Sequence, residues 1–141
     1  MSARPQKPRA KAMLLPMAAA TEREISIDHH LTLEVLRSGA GEMYHLGSMA
    51  RMTYLAMFLS RAGYGIARDG LLQETIDAIA RCRVAALETR VFRVDDETYR
   101  LLCEVLTLHD SQLSRAPVFE LMAAHDRLAK LTREGPAGCP A

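Results

Sequence analysis

The sequence predicts an all-α protein, an antiparallel bundle of four to five helices preceded by a disordered basic N-terminal arm. Three observations carry this. The hydrophobic fraction is 49% while aromatic residues make up only 5%, so the apolar content is mostly Leu, Ala and Met, all strong helix formers. Val, Ile, Phe and Tyr, which a sheet would need, are sparse. Apolar residues recur at helical spacing in segments of about 13 to 21 residues joined by short loops, the pattern of consecutive helices packed side by side.

Residues 1–24 read as a flexible arm. Pro5, Pro8 and Pro16 interrupt it and no periodicity runs through it. The first helix is expected to start near Ser26 as N-cap, with Asp28 in the positive first turn. Ile27, Leu31, Val35 and Ser38 would share one face with Leu33 and Leu36 beside it, and Gly39 and Gly41 would stop it. The second helix spans roughly 42–62. Its stripe of Leu46, Met49, Ala50, Met52, Thr53, Ala56, Met57 and Leu59 widens until the second half is apolar nearly all round, which predicts packing on several sides. The stretch YGIARDG is a loop. A third helix over 70–90 would bury Leu72, Ile76, Ile79, Ala80, Ala86 and Leu87, with Asp77 and Arg81 paired four apart on the wet side. Residues 91–94 are an extended connector. Asp95 caps the fourth helix, which buries Leu102, Val105, Leu106, His109 and Leu113. Pro117 suits the first turn of a fifth helix burying Val118, Leu121, Met122, His125, Leu128 and Ala129. Residues 25–134 thus form one helical domain, and residues 135–141, GPAGCPA, a disordered tail.

At 141 residues the chain buries roughly two-thirds of its unfolded surface, enough to fold without a metal or disulfide. Net charge is +1 but uneven: Arg4, Lys7, Arg9 and Lys11 carry the first twenty residues, and without these four the remaining 14 basic residues face 17 acids. A body of about −3 is a poor match for a broad DNA-gripping face. Three cysteines, Cys82, Cys103 and Cys139, with no C-x-x-C spacing, point to reduced thiols and a cytoplasmic protein. No apolar run approaches the ~20 residues of a membrane span. A P-loop, G-x-G-x-x-G, H-E-x-x-H and G-x-S-x-G are all missing from the sequence.

Four groups of residues carry chemistry. Glu42 and His45, three apart, would place a carboxylate and an imidazole on one helix face, half of the pair that a di-iron bundle needs twice. His109 and His125 lie in apolar stripes of consecutive helices, each followed by an aspartate, and invite either a structural hydrogen bond or a ligand role. Arg4, Lys7, Arg9 and Lys11 of the arm, with Arg81 and Arg83 of the third helix, are the candidate nucleic-acid contacts. The methionines of the second helix exceed what one small core needs, so Met52, Leu55 and Phe58 are the expected centre of a homodimer or partner interface. The second and third helices are not expected to form a helix-turn-helix: the loop between them is about twice too long, and the next helix opens on Leu71-Leu72.

Residues 45–65, HLGSMARMTYLAMFLSRAGYG, and residues 106–128, LTLHDSQLSRAPVFELMAAHDRL, resemble a group of small helical proteins of proteobacterial genomes and mobile elements that carry the label Fis-type transcriptional regulator. The resemblance implies a DNA-associated regulator. The chain ends on an amphipathic helix and GPAGCPA where Fis has a compact helix-turn-helix, so no DNA-contact residue carries over. The functional expectation is a non-enzymatic cytoplasmic helical protein working through protein contacts in regulation, without a cofactor or membrane. One alternative is a nucleic-acid binder using the arm and the arginines. The other is a metal-binding or enzymatic bundle built on His45, His109 and His125.

Overall fold

A computed structural model describes residues 10–134. Arg4, Lys7, Arg9 and Cys139, and the expected C-terminal tail, lie outside the described residues. A short 3-10 turn at Lys11–Leu14 leads into five helices: α1 (Ala19–Ser38), α2 (Met43–Arg61), α3 (Leu71–Thr89), α4 (Asp96–Arg115) and α5 (Val118–Glu134). The described residues form no strand, only two isolated bridges. The all-α bundle is therefore as expected.

Local signals set most helix ends. Gly39 closes α1 in the left-handed region at φ 84°, where its N–H reaches Leu36 O and that of Ala40 reaches Val35 O, satisfying carbonyls that the helix leaves open. Asp95 caps α4 as expected, its carboxylate accepting from the Thr98 N–H at 2.7 Å. Two tight connectors follow the same economy. Gly41 bridges Phe92, and the Val94 N–H bonds Leu36 O, so the expected extended connector is tied to the end of α1.

In packing, α1 to α4 form a four-helix bundle in which α2 and α4 each touch α1, α3 and one another. The fifth helix lies on α2, so α2 contacts every other helix, as its nearly all-round apolar second half predicts. The core divides in two. One cluster, centred on Leu36, Met49, Met52, Leu102 and Leu106, fills the four-helix bundle. The other joins Leu55 and Leu59 of α2 to Leu113 of α4 and to Leu121, Ala124 and Leu128 of α5.

Several expectations are corrected. The first helix begins at Ala19, seven residues before Ser26, so the end of the expected arm is helical. The segment before it lies on α5: the Val118 N–H bonds Leu15 O at 2.9 Å, Pro16 bridges Pro117, and Met17 packs into the second cluster. The inner face of α1 is Ile25, His29, Thr32, Leu33 and Leu36, while Ile27 and Leu31 are exposed. That face is turned by roughly 150° from the one through Ile27 and Leu31, with Leu33 and Leu36 inside it, and Thr32 fits inside because its hydroxyl donates to Asp28 O. In α3, Thr75, Ala78 and Cys82 are buried, whereas Ala80 and Leu87 are exposed. Asp77 accepts from Gln73, not from Arg81. In α5, Met122, His125 and Ala129 are on the surface side, and Ala124 takes the inner place. The α2 interface is also revised. Met52 is 1% exposed and Leu55 7%, both inside their own chain, and Phe58 is half-buried against the second cluster.

Candidate functional site: a histidine-lined cavity

Where α5 and the N-terminal segment close over α1, α2 and α4, the packing leaves a cavity of about 190 Å³. Its walls are Met17, Ile25, Leu55, Leu59, Leu113 and Leu121, and its polar groups are three imidazoles, His29, His109 and His125. The cavity lies where three helices, α1, α2 and α4, cannot all approach α5 closely. Leu55 and Leu59 are one turn apart on α2, Leu113 stands one turn after His109 on α4, and Ala124 of α5 is too small to fill the gap between them.

His109 is 2% exposed, in the middle of the α4 stripe. Its Nδ1 lies 2.9 Å from Gln112 Oε1, one turn further on. Gln112 is itself buried, and its amide nitrogen donates to Ala56 O at 2.9 Å and Tyr64 O at 3.0 Å. Both amide hydrogens are thus used on carbonyls, so Oε1 can only accept, and His109 must carry its proton on Nδ1. The other nitrogen, Nε2, then carries the ring's lone pair and can only accept. Burial pushes the His109 imidazolium down to about 4, although the Gln112 oxygen acts in the opposite direction. The ring is therefore neutral near pH 7.

His29 comes from α1 and lies 5.6 Å from His109, centroid to centroid, at a tilt of 45°. Burial lowers its pKa too, against the pull of Asp28 and Asp110. Its Nδ1 is buried without a hydrogen-bond partner, and so is Asp110 Oδ1 nearby. The second oxygen of Asp110 meets His30 Nε2 at 3.1 Å, an exposed pair on the outer rim. His125 stands on the more exposed side of α5. The histidine pair read from the sequence, His109 and His125, does line one site. His29 was missed because the stripe assigned to α1 was another one. Its signal was present, four residues after Ile25 and four before Leu33. Gln112 was missed for a different reason: it is a polar side chain that burial would ordinarily exclude, and only its three partners admit it.

The remaining candidates do not join this site. Glu42 and His45 start α2, where His45 Nδ1 accepts from the Glu42 backbone N–H at 2.9 Å in a capping box. This pair forms a helix cap. Among the described residues no cluster of three or more His, Cys, Asp or Glu could hold a metal ion. Arg81 and Arg83 are both exposed but two residues apart on a helix, hence on nearly opposite sides. Arg83 lines a groove with Arg51 and Tyr44 of α2, whereas Arg81 acts on Asp95. Other arginines are engaged: Arg68 bonds Glu74 and Glu104, and Arg93 donates to Ser38 O. Lys11 is in the 3-10 turn. Cys82 is buried and lies 3.4 Å from Thr98 Oγ1, away from the imidazoles. Among the described residues no helix is long and apolar enough to cross a membrane.

Compared with known proteins, the chain matches no protein-family model, and neither the curated proteins nor the solved structures contain a match to it.

Proposed function

We propose that this protein is a non-enzymatic binding protein for a small, mostly apolar molecule, held in the cavity between α5 and the α1–α4 bundle. The observation that carries this reading is the 190 Å³ space with apolar walls and a few convergent imidazoles. A binding role fits better than a catalytic one. A histidine that titrates near 4 is a weak proton acceptor at neutral pH. The lining also includes no carboxylate, thiol or hydroxyl nucleophile. Occupancy would stabilise the seat of α5 and the N-terminal segment, which form one wall. That gives a route from ligand to protein surface, and so to regulation through a partner.

The test is a thermal melt with a panel of single-ring molecules, repeated on Ala124→Leu, which fills the cavity from α5. A ligand at 100 times its Kd should add about 2.7 kcal/mol to the native state. The response should vanish in Ala124→Leu while the variant still melts cooperatively. An unchanged melting temperature across the panel would sink the reading.

A second reading, contact with a protein partner or a second copy, is favoured by Val84, Leu87 and Val91, an exposed apolar line along the end of α3. Light scattering at tens of micromolar, on wild type and Leu87→Glu, tests it: a dimer mass that the variant abolishes supports the contact, and a monomer mass in both removes the homodimer. The nucleic-acid alternative rests on Arg51 and Arg83 in one groove beside Tyr44, plus the arm. Retention on heparin that weakens with salt is its expected signature.

A further inference from the structure

We infer that the cavity ligand is a neutral single-ring molecule bearing one hydroxyl or N–H donor, a phenol-like compound, whose donor is received by His109 Nε2; this rests on the binding role proposed above. Three observations set the class.

Size comes first. A dry apolar cavity of about 150 Å³ is enough to take up benzene, so 190 Å³ holds one six-membered ring with a substituent of one or two atoms. Two fused rings with side groups, or a drug-sized molecule needing at least ~300 Å³, would not fit.

Polarity comes second. Seven of the ten lining residues are apolar, which favours a ring over a sugar or an amino acid. The polar contribution is directional. Gln112 fixes the His109 proton on Nδ1 through its own two bonds to Ala56 O and Tyr64 O. His109 is one of the lining residues and its free nitrogen is an acceptor, so a ligand that meets it must bring the hydrogen. An ether or an aldehyde of the same size would leave this lone pair unmatched.

Charge comes third. An anion would need an imidazolium to pair with; His29 and His109 resist protonation because burial disfavours the charged form, and the third imidazole, His125, stands on the exposed side of α5. A cation would need a carboxylate in the wall, and none of the lining residues is acidic. Asp110, outside the lining, spends one oxygen on His30, and its buried Oδ1 acts on His29 and His109 from behind the wall. His29 Nδ1, buried and unpaired, is the second polar atom at the site and provides a place for a bridging water or the far edge of the ligand.

The experiment uses the full chain, with phenol, toluene and benzoate as probes of matched size. Titrations are followed by nuclear magnetic resonance of protein labelled with ¹⁵N in the histidine rings. Phenol is expected to bind roughly tenfold tighter than toluene, the effect of one buried hydrogen bond of about 1.4 kcal/mol, and to shift the Nε2 resonance of His109 while the ring stays neutral. His109→Leu should bring phenol down to the level of toluene. Should that variant fail to fold, the wild-type Nε2 response to phenol against toluene decides alone. Equal binding of phenol and toluene inside the cavity would overturn the donor requirement and leave the binding role intact. Tightest binding by benzoate would overturn the neutral class. If none of the three perturbs the cavity resonances, both this inference and the binding role fall.

Discussion

Protonating His109 in the folded protein means charging an imidazole that water does not reach. Its pKa is about 4 when folded and near 6.5 when unfolded. Above pH 6.5 both states are neutral and the group adds no pH dependence. Between 6.5 and 4 the unfolded chain takes up the proton first, so stability falls with acidification, by about 3 kcal/mol in full. Burial lowers the pKa of His29 as well, so it acts in the same sense. Melting temperatures of wild type should decline from pH 7 to pH 4, and His109→Gln, which cannot titrate, should decline much less. Parallel curves for the two proteins would show His109 to be solvated. Gln112 carries more bonds than any other buried side chain nearby. Gln112→Leu frees Ala56 O, Tyr64 O and His109 Nδ1 together, and should cost at least about 3 kcal/mol, since each buried polar group left unpaired costs about 1–3. A melt within a degree of wild type would mean that water replaces all three bonds.

Among the helices, α2 is the one that all others need. Ala56 has no exposed surface, and its carbonyl also holds Gln112. Ala56→Glu places an unpaired charge where no partner can reach it and should cost roughly 3–5 kcal/mol, a large share of a domain's stability. Met57, one residue on, is half-buried, so Met57→Glu should cost distinctly less because its carboxylate can turn to water. Circular dichroism melts should therefore rank wild type above Met57→Glu and Met57→Glu above Ala56→Glu. The reverse order would mean that α2 is turned by about a quarter-circle from the arrangement described. The helix also shows how capping can imitate chemistry. Glu-x-x-His at its start has the spacing of a metal pair, but an N-terminus leaves backbone N–H groups open, and the side chain three residues on is the nearest acceptor.

The protein is a four-helix bundle with a fifth helix and an N-terminal segment laid over one side, and the cavity is the imperfect seam between the two. A chain beginning at Ala18 removes Met17 from the seam and the Leu15 carbonyl from the start of α5. It should still melt cooperatively, because the main bundle core is complete without it. The loss of a partly buried methionine and one hydrogen bond amounts to about 2 kcal/mol, or roughly 4–8 °C. It should also weaken ligand binding, since one wall is gone. A chain with an unchanged melting temperature would return this segment to the dispensable arm that its composition suggests.

Helix number, the ends at Gly39 and Asp95, the central place of α2 and the inner stripe of α4 were all legible in the amino-acid order. Each depends on residues no more than a few positions apart, or on a stripe apolar enough to leave one choice. The face of α1 was not legible, because two stripes fit the same helix and the better-looking one, through Ile27 and Leu31, is exposed. The inner one includes Thr32 and His29, whose polarity argues against burial until the Asp28 carbonyl and the imidazole cluster are in place. The cavity was less legible still. His109 and His125 could be singled out from their stripes, but the partner on α1, the fixed tautomer and the empty volume arise from helices far apart in sequence meeting side by side, as His30 and Asp110 do across 80 residues. Periodicity reports which side of a helix avoids water. It carries no information on which helix will stand opposite, and a void is a property of that meeting alone.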